Sequence, residues 1–299
     1  MIIVVGDLVT DVVAALDGAP AAGTDTGARI RFAGGGQGAN TAAWLAAEGA
    51  PVTLVAAVGD DEPGRTRVAE LAAAGVRCAV RAHSGTPTGT VIVLSHDGER
   101  TMINDRGAGL LLSPADIDAA LAAAPGARHV HVSGYPLLDP ASRGAGLRAL
   151  AAAREHGLTT SVDAASAGPL RRAGAAFLGW VRAIDLVLAN ADEAAVLAGG
   201  TDPVAQARTL ATVAVHAVVK RGPAGAVWAG PDGVHEAPGR PAHTVADPTG
   251  AGDAFAAGLL SAWLGGAEPR EALDRAVALG TKAVGLLGAR PPLEGRGSR

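Results

Sequence analysis

Residues 247–255 of this chain read DPTGAGDAF, and the apolar run Ala254–Leu264 continues from them. The run has the length and composition of a helix, so the glycine-rich turn predicts a loop that opens a helix. The first backbone N–H groups of a helix have no partner within it, and with the helix dipole they attract an anion such as phosphate. Gly250, Ala251 and Gly252 are therefore a candidate anion hole, in which small residues let a phosphate approach the backbone.

Asp253 falls in the first turn of the same predicted helix, beside the candidate anion hole. A carboxylate in this place can take a proton from an incoming hydroxyl group, which is general-base catalysis. The same residues also fit a plain glycine loop with an aspartate cap. Taken alone, the segment leaves both interpretations open. We expect a strand over His243–Ala246 immediately before it.

A second glycine turn, Gly34 to Gly38, precedes another helical stretch that begins near Asn40. Consecutive glycines allow a ligand to lie against bare backbone. The residues Gly34, Gly36 and Ala39 also fit the dinucleotide pattern G-x-G-x-x-G/A, with Asp60 and Asp61 further on, which would indicate an NAD(P)-dependent oxidoreductase. That pattern belongs to the first strand–turn–helix unit of a domain, and here the first strand ends at Gly6 without it, which disfavours the oxidoreductase.

Apolar runs of strand length alternate with alanine-rich helical stretches along most of the chain. This alternation predicts an α/β fold with a central, mostly parallel sheet flanked by helices. The predicted strands are Ile2–Val5, Val52–Val58, His129–Ser133, Thr159–Asp163, Leu186–Ala189 and Val215–Lys220, and the predicted helices include Asn40–Glu48, Thr66–Ala74, Arg143–His156 and Pro203–Thr212.

Two stretches, from about residue 8 to 32 and from about 88 to 104, contain strand and turn signals without a helix between them. In the second, Thr90–Leu94 and Arg100–Ile103 flank His96-Asp97-Gly98, which is typical of a hairpin. We expect both stretches to form a small β-sheet that projects as a lid from a single domain spanning residues 1–299.

Composition excludes several classes of protein. A net charge of -4 and a pI near 6.1 disfavour nucleic acid as a partner. A single cysteine excludes an internal disulfide and a cysteine-based metal cluster. The chain has no run of roughly 20 apolar residues and no basic N-terminal leader pattern, so a cytoplasmic protein without a membrane span is expected.

The chain resembles the ribokinase-like (PfkB) carbohydrate kinase family at both glycine turns. The family's Gly-Gly-x-x-x-Asn segment is matched by Gly35, Gly36 and Asn40. Its Asp-Thr-Thr-Gly-Ala-Gly-Asp signature is matched by residues 247–253, with Pro248 in place of the first Thr. Further matches follow the family's order and cover essentially the whole chain: Gly6 to Asp11, Val58 to Gly64, Thr88-Gly89, Asn190 to Glu193 and Val219 to Ala226.

The resemblance implies a ribokinase-like fold and transfer of the γ-phosphate of ATP to a hydroxyl of a sugar or sugar-like molecule. It implies Asp253 as the catalytic base and Gly250, Ala251 and Gly252 as the anion hole. The other implied roles are substrate binding by Asp11, Gly35, Gly36, Asn40 and Arg106, nucleotide binding by Asn190, Lys220, Gly222, Gly225 and Thr249, and Mg²⁺ binding by Glu193, Asn190 and Asp247. Asn190 and Glu193 also fit a helix capping box.

The substrate stays open between sugars, nucleosides and 2-keto-3-deoxy sugar acids. Val9 replaces an asparagine that contacts sugar in ribokinases proper, which disfavours plain ribose. Arg106 could grip a carboxylate or form a salt bridge within the lid. The segment Gly288–Pro292 resembles the family's monovalent-cation site, so K⁺ is an open alternative. A homodimer through the lid and a non-catalytic sugar sensor are further alternatives.

Overall fold

The computed structural model describes residues 1–96 and 99–292. Its strands are β1 Ile2–Val5, β2 Val9–Leu16, β3 Ala28–Gly35, β4 Val52–Gly59, β5 Arg77–His83, β6 Thr88–His96, β7 Glu99–Gly107, β8 His129–Ser133, β9 Thr159–Asp163, β10 Leu186–Asn190, β11 His216–Lys220, β12 Ala226–Gly230 and β13 Gly233–Ala237.

The helices are α1 Gln37–Ala47, α2 Glu62–Ala73, α3 Pro114–Ala122, α4 Gly134–Leu138, α5 Arg143–Glu155, α6 Ala167–Ala173, α7 Ala175–Trp180, α8 Ala191–Ala198, α9 Pro203–Leu210, α10 Ala251–Leu264 and α11 Pro269–Val284. Short 3₁₀ turns occupy Ala108–Leu111 and Gly222–Ala224.

Nine strands form one large sheet in the order β13-β12-β11-β10-β9-β8-β1-β4-β5. Neighbours from β5 to β11 pair in parallel, and β12 and β13 add an antiparallel edge. Because the carboxyl ends of parallel strands meet at one edge of the sheet, residues that follow or end these strands converge there. Asp7, Asp163, Asn190 and Lys220 are such residues. The mostly parallel α/β sheet predicted from the sequence is confirmed.

The small sheet is separate and has the order β3-β2-β6-β7. β2 and β3 form an antiparallel hairpin, β2 pairs in parallel with β6, and β6 and β7 form a second hairpin. The predicted stretches both lie in it, and the strands extend to Gly35 and Gly107. The predicted turn residues Asp97 and Gly98 lie outside the described residues.

Helices cover both faces of the large sheet and bury an apolar core on each. One face packs against α3, α5 and α9, and the other against α1, α10 and α11. Alanine, valine and leucine dominate both cores, as expected for a chain with 3% aromatic residues. Of the described helices, none has both the length and the apolar character needed to cross a membrane.

The structure corrects the sequence prediction in a few places. No strand forms over His243–Ala246; the backbone N–H groups of Ala246 and Asp247 donate to the carbonyl of Val284 instead of to a strand. Helix α1 begins at Gln37 and α2 at Glu62, both earlier than predicted. In α2 the reason is that Asp61 caps the helix by accepting from the N–H of Gly64.

Candidate active site

The glycine turn at 250–252 opens helix α10 as predicted. Gly250 adopts a left-handed backbone with φ 78°, and a Cβ there would overlap the carbonyl oxygen of Ala289. Gly252 is different because it has ordinary helical φ, and the nearest heavy atom to an added Cβ would be Lys220 Nζ at 3.6 Å. The first turn of α10 therefore lies beside an ammonium group, an arrangement suited to an anion, although the backbone N–H of Ala251 donates to the Pro248 carbonyl at 3.3 Å.

Asp253 lies in that first turn. Asn40 Nδ2 donates to Asp253 Oδ2 at 2.9 Å. Burial is the largest influence and raises the pKa of Asp253 to about 8, against the Asn40 hydrogen bond, which lowers it. The nearby Asp163 carboxylate raises this pKa further, and Lys220 lowers it. A carboxyl group with its pKa near neutrality is suited to proton transfer.

Lys220 ends β11 and forms an ion pair with Asp163, the last residue of β9, at 2.6 Å. Although burial lowers the pKa of Lys220, the charges of Asp163 and Glu193 outweigh that effect and raise it. Gln37 Nε2 donates to the other Asp163 oxygen at 3.0 Å, and Ser133 Oγ donates to Gln37 Oε1 at 2.6 Å. The cation beside Gly252 is thus held in place by a chain of hydrogen bonds.

A cavity of about 580 Å³ begins at Lys220 and Gly252. Gly222 and Gly225 line one side, and the remaining lining is largely apolar, with Val245, Phe255 and Val277 among its residues. Its volume and apolar character match those of ordinary ligand clefts. The predicted nucleotide-binding residues Lys220, Gly222 and Gly225 are therefore brought together at one cavity.

Asn190 and Glu193 form a capping box at the start of α8. Glu193 accepts from the backbone N and from Nδ2 of Asn190, at 2.8 and 2.7 Å, and Asn190 Oδ1 accepts from Glu193 N at 2.9 Å. Burial raises the pKa of Glu193 to about 7, and Lys220 opposes that rise. Since the oxygens of both side chains already accept hydrogen bonds, the pair fits a magnesium ion held through water better than one bound directly.

Asp247, the third residue predicted for metal, is engaged elsewhere. Its oxygens accept from Arg31 Nη2 at 3.0 Å, from Gly288 N at 3.1 Å and from Thr249 N at 2.9 Å. The carboxylate thereby ties the small sheet to the segment after α11. Within residues 1–96 and 99–292, no group of three or more His, Cys, Asp or Glu side chains is arranged to hold a metal ion.

Four of the predicted substrate residues lie close together, and one of them, Asn40, contacts Asp253. Asp11 is buried on β2, and a Cβ on Gly35 would overlap its carboxylate. Gly35 is therefore required where β2 and β3 bring these two residues side by side. Burial raises the pKa of Asp11 to about 6, with Arg290 acting against it. Gly36 precedes α1, and Asn40 lies in its first turn.

Arg106 forms a salt bridge, but its partner Asp7 follows β1 of the large sheet and is not part of the lid as the sequence alternative expected. Arg106 Nη1 donates to Asp7 Oδ2 at 3.0 Å, and its guanidinium lies 3.6 Å from the centre of the Tyr135 ring. These three residues line a smaller cavity of about 240 Å³. Arg106 lines this cavity, so a substrate group in the cavity would meet its guanidinium.

Sequence reasoning missed several residues that the structure places in the site, namely Asp7, Gln37, Asp163, Tyr135 and Arg290. Asp7 and Asp163 could have been found, because each is a polar residue at the carboxyl end of a predicted parallel strand. The dinucleotide alternative required Gly34, Gly36 and Ala39 to lie in the first strand–turn–helix unit of the domain, and the structure does not place them there. Residues Gly34 and Gly35 end a strand of the small sheet, and Asp61 accepts hydrogen bonds from Thr88 and Gly64.

Comparison with known proteins places the site in context. The model of the pfkB family carbohydrate kinases matches residues 1–296. The chain is 34% identical over 250 residues to 2-dehydro-3-deoxygluconokinase of Thermoproteus tenax, covering 80% of this chain and 76% of that protein. It is 34% identical over 285 residues to ATP-dependent ribose-1-phosphate kinase of Halopiger xanaduensis, covering 94% and 90%. The structure of adenosine kinase from Sinorhizobium meliloti superposes with a TM-score of 0.87 at 25% identity, over 97% and 95% of the two chains.

Proposed function

Since the chain belongs to the pfkB family of carbohydrate kinases, we propose that Asp253 is the base of its phosphoryl transfer reaction. The chain is an ATP-dependent carbohydrate kinase with a ribokinase-like α/β fold. The observation that carries the proposal is the place of Asp253. It lies one residue after the glycine turn of α10, with its pKa raised to about 8.

In the proposed reaction, the oxygen of the substrate hydroxyl attacks the γ-phosphorus of ATP. An Asp253 oxygen takes the proton of that hydroxyl at the same time. The new P–O bond forms while the bond to the leaving ADP oxygen breaks. The N–H groups at Gly250, Ala251 and Gly252 stabilise the charge of the transferring group, and the Lys220 ammonium lies beside them. Phosphoryl transfer depends on such positioning and charge stabilisation more than on covalent catalysis.

We place the nucleotide in the 580 Å³ cavity, with its phosphates toward Lys220 and Gly252. Gly222 and Gly225 line this cavity, whereas the predicted nucleotide-binding residue Thr249 does not line it but directly follows the lining residue Pro248. Mg²⁺ would screen the phosphate charge, and Asn190 and Glu193 would hold its waters. The ties of Asp247 to Arg31 and Gly288 favour a structural role over direct metal contact. A K⁺ ion near Gly288–Pro292 is a further proposal that follows from the family pattern alone.

We place the acceptor against Asp11, Gly35, Gly36 and Asn40, with Arg106 at its far end. A sugar or sugar-like molecule is the first candidate. A sugar acid is the second, favoured by the Arg106 guanidinium at the smaller cavity and by the relative named for 2-dehydro-3-deoxygluconate. The salt bridge of Arg106 with Asp7 already offsets part of its charge, which weighs against a carboxylate as the primary determinant.

We also propose that two copies pair through the outer face of the small sheet. Phe32, Ile92 and Ile103 are 72%, 39% and 53% exposed. The strand registers place them in one row with Val12. A row of exposed apolar side chains on one sheet face is typical of a surface that a partner covers.

The experiment that tests the catalytic proposal measures ADP release from Mg-ATP with D-ribose, D-ribose 1-phosphate, D-fructose, 2-dehydro-3-deoxy-D-gluconate, adenosine and inosine. Wild type should show one dominant acceptor, and Asp253→Asn should lose roughly 10²- to 10⁴-fold in turnover with that acceptor. Circular dichroism of the variant should match wild type. Wild-type turnover by Asp253→Asn would exclude Asp253 as the base.

A further inference from the structure

We propose that Arg290 is a positioning residue, which fixes the side-chain amide of Asn40 so that its nitrogen faces Asp253. This inference rests on the proposed role of Asp253 as the base. It gives a role to a residue that lies 250 positions from Asn40 in the chain and contacts it in the folded structure.

The hydrogen bonds of Arg290 connect it to the proposed base through Asn40. Arg290 Nε donates to Asn40 Oδ1 at 3.0 Å, and Asn40 Nδ2 donates to Asp253 Oδ2 at 2.9 Å. Arg290 Nη2 donates to the carbonyl oxygen of Gly35 at 2.8 Å. One side chain therefore holds both the amide that contacts the base and the glycine turn that borders the substrate.

The direction of these hydrogen bonds follows from the chemistry of arginine. A guanidinium group only donates, so the Asn40 oxygen must face it. The Asn40 amide then has only its NH₂ group left for Asp253. Without Arg290, rotation of the amide by half a turn would place its oxygen against the Asp253 carboxylate, which would repel the ionised base. Arg290 thus excludes the unproductive orientation of Asn40.

Arg290 is itself held in a fixed position. Trp44 Nε1 donates to the carbonyl oxygen of Ala289 at 3.0 Å, and that oxygen packs against Gly250. Gly34 leaves room for the guanidinium, because a Cβ there would overlap Nη1. Glu70 Oε2 lies 3.7 Å from Nη1. The segment after α11 therefore packs against both glycine turns, with Ala289 at Gly250 and Arg290 at Gly34.

The charged groups that act on Arg290 are Glu70 and Arg67 from α2, Asp11 from β2 and Asp253 from α10. Burial lowers the pKa of Arg290 to about 10, with Glu70 acting against that effect. The side chain therefore stays cationic at neutral pH. Its charge also favours the ionised form of Asp253, in the same direction as the Asn40 hydrogen bond.

Three substitutions separate the hydrogen bond from the charge. Arg290→Gln places an amide nitrogen as far along the side chain as Nε, so it can still donate to Asn40 without the charge. Arg290→Lys keeps the charge but has no hydrogen-bond donor at the position of Nε. Arg290→Met has neither the charge nor the donor. Arg143→Met is the matched control, since Arg143 is also half-buried, donates to the Leu137 carbonyl and stacks on Trp180, away from Asn40 and Asp253.

With the strongest acceptor of the panel above, we expect Arg290→Met to lower kcat by about 10- to 100-fold, with KM for ATP within about twofold of wild type. Arg290→Gln should keep kcat within about fivefold, and Arg290→Lys should resemble the Met variant. In an Asn40→Ala background, Arg290→Met should lower kcat by less than about threefold, because the two residues act in series. Arg143→Met should leave kcat unchanged.

A second readout does not need a substrate. The ¹³C-carboxyl signal of Asp253, assigned with Asp253→Asn, should titrate at a higher pH in Arg290→Met than in wild type, and Arg290→Gln should lie between them. Equal losses of kcat in the Gln and Met variants, multiplicative losses in the Asn40→Ala background, or an unchanged titration would each overturn the positioning role. If Asp253→Asn keeps its turnover, the base assignment fails instead, so the two failures are distinguishable.

Discussion

The carboxyl group of Asp253, the proposed base, acts against the stability of the folded chain. Its pKa in the folded chain is about 8, raised by burial from an ordinary value near 3.8. Between these two pH values the folded state keeps a proton that the unfolded state has lost. The contribution of this group to stability therefore falls as the pH rises from about 4 to 8 and stays low above that.

Replacing Asp253 by Asn removes this loss of stability at high pH, because the amide is neutral at every pH. We expect Asp253→Asn to raise Tm by several degrees at pH 9 and by much less at pH 5, as followed by differential scanning fluorimetry. Asp60→Asn serves as the control, since Asp60 is exposed and should give the same small change at both pH values. A Tm gain that is independent of pH would contradict the raised pKa.

The same pKa predicts the pH dependence of catalysis. A base must be deprotonated to accept a proton, so kcat/KM should rise tenfold per pH unit below about 8 and level off above it. Asn40→Ala removes the hydrogen bond that favours the carboxylate, so the rise of kcat/KM should shift to higher pH. Initial rates between pH 6 and 9.5 at low acceptor concentration measure this dependence of kcat/KM on pH. A profile that is flat across this pH range would mean that burial does not control the pKa of this group.

At the scale of the element, the first turn of α10 contains one glycine that its backbone conformation requires and one that we propose for phosphate binding. Gly252→Ala should keep or raise Tm, because φ is helical and alanine favours a helix. Its methyl group would occupy the space beside Lys220 Nζ, so turnover should fall by roughly 10²-fold. Gly250→Ala should instead lose stability, since its left-handed φ and the contact with Ala289 leave no room for Cβ. Full activity in Gly252→Ala would remove the anion hole from the mechanism.

Strand β8 makes the fold sensitive to acid. His131 is fully buried, and burial lowers its pKa to about 4. An unfolded histidine binds a proton near pH 6.5, so stability should fall as the pH drops from 6.5 to about 4, by on the order of 2 kcal/mol at pH 5. His131→Asn should therefore reduce the drop in Tm between pH 7.5 and 5. His243→Asn, which alters an exposed residue, should not change that drop.

These elements also mark what sequence could predict. The glycine turn and Asp253 were predictable because their chemistry is local: a turn, a helix start and a carboxylate lie within seven residues of one another. The ion pair of Lys220 with Asp163 spans 57 residues, and the contact of Arg290 with Asn40 spans 250. Such pairs depend on strand order and on how a late segment packs, which no local pattern encodes. The strand predicted over His243–Ala246 failed because its N–H groups found a partner outside any sheet.

At the scale of the whole molecule, the exposed face of the small sheet predicts a dimer. Wild type should elute with twice the mass of the chain in size-exclusion chromatography with light scattering. Phe32→Ser combined with Ile103→Ser should elute as a monomer, since the row loses its two most exposed members. Leu147→Ser, on the exposed side of α5, is the control and should keep the dimer. A monomeric wild type at micromolar concentration would exclude this interface.

The strand order of the large sheet also has a consequence for biosynthesis. From β8 to β13, each new strand joins the edge left by the strand before it, so the sheet can grow in the order in which a ribosome delivers the chain. The site cannot form in that order. Asn40 emerges early, Asp253 late and Arg290 later still, and α10 packs on α1 only at the end. A nascent chain therefore carries most of its sheet well before it can transfer a phosphate.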